Sequence, residues 1–231
     1  MAILEIDNLS KSFGGVRSVD SLSLRITKGT ITGIIGPNGT GKTTLMNLIS
    51  GTLSAETGTI MVDGKIVSNQ KPWMIAGAGV VRTFQITRLF EQMTVLDNVL
   101  TVMTQKNVFA SLFDKKKSHY LERAKNALAR VGLLEKDNQL AANLSYGQRR
   151  LLEIARVVAS DAQIILLDEP FSGLYPAMAQ TVAGILKDLK SQGKTIIFIE
   201  HNIELARELC DYLFVMPGNQ LLPVSEAHLV S

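Results

Sequence analysis

The sequence predicts an α/β fold, in which a mostly parallel sheet is interrupted by a helix-rich insertion. Short apolar runs, typical of strands buried on both faces, alternate with helical patterns in the first and last thirds of the chain. One of these runs leads through a glycine-rich loop into a helix, while the middle of the chain has helical periodicity. Strands that alternate with helices imply right-handed crossovers and parallel pairing.

The first third is expected to hold strands, one helix and a hairpin. Alternating apolar residues predict strands near 3–9 and over 21–27, and a β-branched apolar run predicts a buried strand over 30–35. Apolar residues at helical spacing then end at Gly51, a typical helix stop. Asp63-Gly64 predicts a tight turn between two short strands.

The middle third is expected to be helical, with helices over 95–107, 118–131 and 149–160. The intervening segment, 109–117, ends in three lysines, which fit either a solvated loop or a contact with acidic lipid head groups. The last third returns to strands alternating with a helix. Its strands are predicted at 164–167, 195–199 and 213–216, and its helical face consists of Val182, Ile185, Leu186 and Leu189.

The composition excludes several classes of protein. The 24 Lys and Arg residues against 21 Asp and Glu give a net charge of +3, so there is no strong electrostatic demand for nucleic acid. The single cysteine, Cys210, excludes a disulfide framework and a cysteine-based metal site, and its neighbours predict a small buried side chain. No apolar run approaches the roughly 20 residues of a membrane span, and the N-terminus lacks a signal-peptide pattern. We therefore expect a cytoplasmic protein that serves a membrane only through a partner.

A glycine-rich loop lies between a predicted strand and a predicted helix, and it matches G-x-x-x-x-G-K-[ST]. It consists of Gly36, Pro37, Asn38, Gly39, Thr40, Gly41, Lys42 and Thr43, followed by Thr44. Glycines let successive backbone N–H groups surround a phosphate, and the helix N-terminus adds partial positive charge. Lys42 is expected to reach the β- and γ-phosphates of a nucleotide and the Thr43 hydroxyl to bind Mg²⁺. The alternative interpretation is a flexible glycine-rich turn.

Two carboxylates, Asp168 and Glu169, follow the buried strand predicted at 164–167. Ligands of open α/β sheets bind at the carboxyl ends of the strands. Asp168 is expected to hold Mg²⁺, directly or through water, and Glu169 to polarise the water that attacks a phosphoryl group. Taken alone, an acidic turn after a strand is common; the phosphate loop is what favours the functional interpretation.

Two further polar residues each follow an apolar segment. His201 comes just past a predicted strand end, from which it could donate to the γ-phosphate, and Gln85 follows Arg82-Thr-Phe. A lone Gln or His is otherwise more often structural. His119 and His228 lack such a setting and are predicted to be surface residues.

The segment Leu144-Ser145-Tyr146-Gly147-Gln148 precedes a predicted helix and resembles the L-S-G-G-Q signature of ABC-type ATPases. By itself it also fits an ordinary helix cap, in which Ser145 and Gln148 exchange hydrogen bonds. The resemblance covers nearly the whole chain. It makes residues 36–44 the Walker A loop, Gln85 the Q-loop, Asp168-Glu169 the Walker B pair and His201 the switch histidine. Phe13, in Lys-Ser-Phe-Gly-Gly, would stack on adenine or otherwise belong to the core.

The resemblance implies roles, a fold and domain boundaries. Glu169, His201 and Gln85 would be catalytic; Thr43, Gln85 and Asp168 would bind the metal. Phe13, residues 36–44, Ser145, Gly147 and Gln148 would bind ATP. The implied fold is a P-loop NTPase (RecA-like) core, residues 1–84 and 161–231, with an N-terminal antiparallel β subdomain and an inserted α-helical subdomain, residues 85–160.

Within the family, the signature and the segment around Gln85 look most like the ATPase of branched-chain amino acid uptake transporters. Two residues depart from the family pattern, Tyr146 in the signature and Tyr175 in the D-loop, and the C-terminal tail is short. The alternatives are the ATPase of an exporter or lipopolysaccharide-extraction system, and a soluble ABC ATPase without a transport role.

The family also implies partners. A second ATP-binding subunit would complete each nucleotide site, and membrane permease subunits would receive the motion at the cytoplasmic face of the membrane. A solute-binding protein would act indirectly, and no nucleic acid is expected. Gln85 and residues 89–95 would line a groove for a permease helix, or 89–95 would instead pack locally, and apolar residues of 108–113 could form a second contact.

Overall fold

The computed structural model describes residues 1–83, 89–103 and 114–224, and side chains of 114–117 are not described. The chain divides into two compact units. The first unit contains Met1–Arg82, Ala162–Pro170 and Lys187–Ser231. The second unit contains Thr83–Asp161 and Phe171–Leu186. Among the described residues, no helix is both long enough and apolar enough to cross a bilayer.

The first unit contains all ten strands of the described chain. In chain order they are β1 (Ala2–Phe13), β2 (Val16–Thr27), β3 (Ile31–Ile35), β4 (Thr57–Val62), β5 (Lys65–Ile66), β6 (Val80–Arg82), β7 (Ile164–Asp168), β8 (Thr195–Glu200), β9 (Tyr212–Val215) and β10 (Leu222–Pro223). They form a four-stranded antiparallel sheet of order β2-β1-β4-β5 and a six-stranded sheet of order β10-β9-β3-β8-β7-β6. In the larger sheet every neighbouring pair is parallel except β10 with β9.

The larger sheet is built from the apolar runs of the sequence. Every residue of β3, β7 and β8 is buried, as expected for central strands covered on both faces. The helices of this unit are α1 (Lys42–Ile49), α2 (Pro72–Gly77), α7 (Ile203–Leu209) and the last residues of α6 (Pro176–Ser191). One continuous apolar core joins residues of both sheets with the buried face of α1. The carboxyl ends of β3, β6, β7 and β8 are thereby held on a rigid support.

The second unit is helical. It contains α3 (Val95–Leu100), α4 (Asp114–Arg130), α5 (Tyr146–Ala159) and the first part of α6 (Pro176–Ser191), with 3₁₀ turns at Leu134–Lys136 and Ala141–Asn143. The side chains of Val95, Val99, Leu128, Leu152 and Ala155 are fully buried. Arg149 of α5 also donates hydrogen bonds to the carbonyls of Leu144 and Ala142, which fixes the entry to the helix.

The structure confirms the predicted α/β fold with a parallel sheet and a helix-rich insertion. Several elements differ in length from the prediction. β1 and β2 are each 12 residues long and meet at Gly14-Gly15, whereas the sequence indicated only short strands. Their register shifts at several points, and Asn8 and Ser21 have positive φ, so the alternation is broken. α2 and β6 were not predicted.

Candidate functional site

The glycine-rich loop connects β3 to α1 and is shaped by close backbone approaches. A Cβ atom at Gly36 would lie 2.3 Å from the carbonyl oxygen of Met216, and one at Gly41 would lie 2.1 Å from that of Ser18. Gly41 also has a φ of +101°, which L residues rarely adopt. Within the part of the chain that the structure describes, no side chain caps the start of α1. The backbone N–H groups of this turn are therefore available for an anion.

Lys42 begins α1, and its ammonium group turns back into the loop. Its Nζ donates to the carbonyl oxygens of Gly36 at 2.7 Å and Pro37 at 2.6 Å. Burial lowers the pKa of Lys42, an effect that the negative charge of Glu169 opposes. The lysine therefore lies inside the loop, close to where the phosphates are predicted, and its donors are directed to loop carbonyls.

The two threonines after Lys42 have different surroundings. The Thr43 side chain is exposed and could reach a ligand, whereas the Thr44 hydroxyl shares a 2.8 Å hydrogen bond with that of Ser18 on β2. Thr40 donates to the carbonyl of Pro37 at 3.0 Å, and Asn38 and Gly39 are exposed at the loop's tip. Thr43 is thus the threonine suited to metal binding, and Thr44 holds the loop to β2.

Asp168, the last residue of β7, lies in a buried ion pair. Arg82, the last residue of β6, donates to Asp168 Oδ2 from Nε at 3.1 Å and from Nη2 at 2.7 Å. The two side chains are only 4% and 2% exposed. The pair joins two neighbouring parallel strands at their carboxyl ends, on the edge where the sequence placed the ligand site.

Glu169 and His201 meet directly. Glu169 Oε1 lies 3.0 Å from His201 Nε2, and the two side chains are 16% and 41% exposed. Glu169 has a φ of +47°, an unusual conformation for a glutamate, while its N–H still donates to the carbonyl of Ile199 on β8. Strained residues of this kind often occur at functional sites. This pair could orient a water and a phosphoryl group.

Phe13 ends β1 and pairs with Val16 at the tip of the hairpin. Its ring is 48% exposed, so it is not a core residue. The ammonium group of Lys11 lies 5.5 Å from the ring centroid and 3.7 Å from a Glu56 carboxylate oxygen. An exposed aromatic ring at a hairpin tip is a surface on which a base could stack.

In the second unit, Ser145 and Gln148 form a capping box at the start of α5. The Ser145 hydroxyl accepts from the N–H of Gln148 at 3.3 Å, and Gln148 Oε1 accepts from the N–H of Ser145 at 3.1 Å. The helix-cap interpretation is therefore confirmed. Ser145 is nevertheless exposed, and a helix N-terminus attracts anions, so the cap does not exclude phosphate binding.

Gly147 of the same helix packs closely against Met178 of α6, and Tyr146 packs against Gly173, which precedes α6. A Cβ atom at Gly147 would lie 2.9 Å from the Met178 sulfur, and one at Gly173 would lie 2.6 Å from Cε1 of Tyr146. The ring of Tyr146 is 53% exposed, and that of Tyr175 is 77% exposed. A side chain at Gly173 would therefore meet both the left-handed backbone conformation and the Tyr146 ring, whereas the atom nearest to an added Cβ at Gly147 belongs to the flexible end of Met178.

The donors of the first unit fit a magnesium ion bound together with a nucleotide. Mg²⁺ is usually held by one or two carboxylates plus substrate phosphates and water, rather than by a full protein cage. Asp168 and the exposed hydroxyl of Thr43 offer this limited donor set. The described residues contain no cluster of three or more His, Cys, Asp or Glu side chains that could hold a metal by themselves.

The structure brings some predicted site residues together. Within the first unit, Glu169 contacts His201, and Asp168 ends the strand beside β8, from which His201 follows. The predicted catalytic and metal-binding residue Gln85 lies outside the described residues, as does His228. His119 is exposed, as predicted for a surface residue.

Sequence reasoning missed Arg82, Ser18 and Met216, which hold the site from behind. Their contacts join residues far apart in the chain; Arg82 and Asp168 are separated by 86 positions. Of the three, only Arg82 could have been noticed in the sequence, because it is a charged residue directly after an apolar segment.

Comparison with known proteins identifies close relatives. The family model described as "ABC transporter" matches residues 19–172. The high-affinity branched-chain amino acid transport ATP-binding protein LivG of Escherichia coli K12 is 37% identical, with 96% of this chain and 90% of the relative covered. BraF of Pseudomonas aeruginosa, with the same description, is 35% identical over 97% and 91% of the two chains.

Solved structures agree with these matches. A nucleotide-free ATP-binding cassette from an ABC transporter superimposes with a TM-score of 0.84 at 35% identity, covering 96% of this chain and 90% of that one. The ADP conformation of an ATP-binding cassette of an ABC transporter gives the same TM-score, identity and coverage.

Proposed function

Because the chain belongs to the ABC transporter family, as an ATP-binding cassette that hydrolyses ATP, we propose that it energises an importer of branched-chain amino acids. The observation that carries this proposal is identity of 34–37%, over at least 96% of this chain, to relatives described as branched-chain amino acid transport ATP-binding proteins. The exporter and non-transport alternatives have no comparable support among these relatives.

In the proposed mechanism, the first unit binds ATP along the carboxyl edge of its larger sheet. Adenine stacks on Phe13, and the phosphates lie in the loop of residues 36–44. Lys42 leaves the carbonyls of Gly36 and Pro37, to which it now donates at 2.7 and 2.6 Å, and turns to the β- and γ-phosphates. Thr43 and Asp168 would hold Mg²⁺, which neutralises charge on the phosphates.

Hydrolysis then depends on Glu169 and His201. Glu169 accepts a hydrogen bond from the attacking water and orients it towards the γ-phosphate. His201 holds the Glu169 carboxylate, which it contacts at 3.0 Å, and donates to the γ-phosphate. Gln85 completes the set as a catalytic and metal-contacting residue in this proposal.

A second ATP-binding subunit completes each nucleotide site. The capped start of α5, with Ser145, Gly147 and Gln148, offers the exposed Ser145 hydroxyl and a helix dipole suited to a γ-phosphate held by another copy of the fold. Each chain thus carries a phosphate loop and a separate anion-binding helix start. Loss of the γ-phosphate removes the group that both subunits hold, so the dimer opens.

Membrane permease subunits convert this opening into transport, and a solute-binding protein delivers the amino acid. The chain would therefore work at the cytoplasmic face of the membrane. The exposed apolar side chains of Phe90 and Met93, within residues 89–95, are the proposed contact for a permease helix.

Reconstituted transport tests the proposal. The chain is purified with candidate branched-chain amino acid permease and solute-binding proteins of the same organism and placed in liposomes with ATP and Mg²⁺ on its own side. We expect uptake of labelled leucine that requires ATP. The variant Glu169→Gln should abolish uptake, while Glu122→Gln, the same change at an exposed position of α4, should retain it.

Outward movement of a substrate would contradict the import assignment. Uptake of a different solute class, with leucine neither transported nor competing, would contradict the amino acid assignment and leave the ATPase assignment intact.

A further inference from the structure

Arg82 occupies a junction in the first unit that the proposed chemistry does not use. It ends β6, which pairs in parallel with β7, and its Cα partner is Leu166, two residues before Asp168. Its side chain lies at the carboxyl edge of the sheet and contacts Asp168, which is proposed to hold the metal.

The guanidinium of Arg82 divides its donors between two elements. Nε and Nη2 both point to Oδ2 of Asp168, at 3.1 and 2.7 Å. Nη1 donates to Asn47 Oδ1 at 2.7 Å and to Ser50 Oγ at 3.0 Å. Asn47 lies in α1, and Ser50 is the C-cap of the same helix. One planar group thus ties the acidic end of β7 to the helix that starts at the phosphate loop.

Burial makes this bridge rigid. The Arg82 and Asp168 side chains are 4% and 2% exposed, so water cannot replace either partner. A buried ion pair is retained only with good geometry and further hydrogen bonds, and the contacts to Asn47 and Ser50 supply them here. Only arginine has a fork of donors that can serve both sides at once; lysine has one nitrogen.

We infer that Arg82 is a positioning residue that fixes the orientation of the Asp168 carboxylate relative to α1, and thereby sets the metal affinity of the nucleotide site. This inference rests on the proposed role of Asp168 as a metal-binding residue. Groups that orient a metal ligand from behind typically change metal affinity by about 10- to 100-fold when they are substituted.

The variant Arg82→Lys tests this inference because it keeps the positive charge and loses the fork. Mn²⁺ replaces Mg²⁺ as the probe, and its binding to the full-length protein with a non-hydrolysable ATP analogue is measured by electron paramagnetic resonance. We expect Mn²⁺ affinity to fall about 10-fold or more. Binding of a fluorescent ATP analogue in EDTA should change by less than about 3-fold, because the lysine variant leaves the phosphate loop intact.

Two milder variants test whether a folding defect explains the loss of Mn²⁺ affinity. Asn47→Ala and Ser50→Ala remove only the α1 side of the bridge and leave the ion pair. Each should weaken Mn²⁺ binding by a few-fold, with the thermal melting of the nucleotide-free protein close to that of the wild type. Equal losses of Mn²⁺ affinity and metal-free nucleotide affinity in all three variants would overturn the inference, because they would indicate general disruption.

Asp168→Asn separates failure of this inference from failure of the proposed function. If Asp168→Asn weakens Mn²⁺ binding and Arg82→Lys does not, Asp168 is a metal-binding residue and Arg82 does not position it. If Asp168→Asn itself leaves Mn²⁺ affinity unchanged, the proposed metal site is wrong, and the inference falls with it.

Discussion

Substitution of Gly173 by alanine isolates the contact between the signature segment and the segment before α6. Gly173 has a φ of +70°, and an added Cβ would lie 2.6 Å from Cε1 and 3.3 Å from Cδ1 of the Tyr146 ring. Ordinary carbon contacts are about 3.5–4.0 Å, so the ring must move. The expected loss of unfolding free energy has two parts, one from the backbone conformation and one from the clash with the ring.

Gly132 supplies a matched control for the backbone part. It also has a φ of +70°, but nothing lies within 4 Å of an added Cβ. Gly132→Ala should therefore lower the free energy of unfolding by about 1–2 kcal/mol, which is the cost of the left-handed conformation for alanine. Gly173→Ala adds overpacking of about 1–3 kcal/mol, giving a total of about 2–5 kcal/mol. Gly184→Ala, exposed in α6 and without a positive φ, should instead stabilise by about 0.5–1 kcal/mol.

Urea unfolding followed by far-ultraviolet circular dichroism measures these differences, and the Tyr146→Ala background shows their origin. Without the ring, Gly173→Ala should cost the same as Gly132→Ala. The double-mutant cycle should therefore give a coupling energy of about 1 kcal/mol or more between Tyr146 and Gly173. A coupling within about 0.3 kcal/mol of zero, or equal losses at Gly173 and Gly132 in the wild-type background, would refute the contact.

Three further predictions concern single side chains. Glu169→Gln should bind ATP, hydrolyse it about 10²- to 10⁴-fold more slowly and accumulate as a dimer in size-exclusion chromatography; wild-type turnover would contradict its role. Lys42→Ala should lose most of the thermal stabilisation that ATP gives the wild type, and an unchanged shift would count against the phosphate-loop assignment. Cys210 should react slowly with a disulfide reagent at pH 8 and fast in urea. Burial and the charge of Asp211 raise its pKa to about 12, so the reactive thiolate appears only near that pH; fast reaction of the native protein at pH 8 would exclude this environment.

The sequence predicted features whose causes are local in the chain. The spacing of Ser145 and Gln148 indicated the capping box, because a helix start needs partners three residues apart. The pattern from Gly36 to Thr43 indicated the strand–loop–helix connection, because its glycines are needed for tight turns. These signals depend on near neighbours, so they can be read without knowledge of the tertiary structure.

Features that depend on distant contacts could not be predicted in this way. Arg82 meets Asn47 across 35 positions and Asp168 across 86, and nothing in its own neighbourhood indicates either partner. The need for glycine at Gly41 arises partly from the carbonyl of Ser18 on β2, which the sequence pattern does not contain. The long β1–β2 hairpin was missed because left-handed residues at Asn8 and Ser21 interrupt its alternation.

The two adjacent carboxylates show why a change of backbone conformation occurs at the end of β7. Asp168 continues the strand and is held in a buried ion pair, whereas Glu169 turns to a φ of +47° and contacts the half-exposed His201. A metal-binding residue benefits from fixed orientation, and a group that handles water must be accessible to it. The two carboxylates differ in the way that their proposed roles require: the Asp168 side chain is held by Arg82 and is 2% exposed, and the Glu169 side chain is 16% exposed. The left-handed conformation of Glu169 separates the two environments within a single peptide link, while the N–H of Glu169 still donates to the carbonyl of Ile199 on β8.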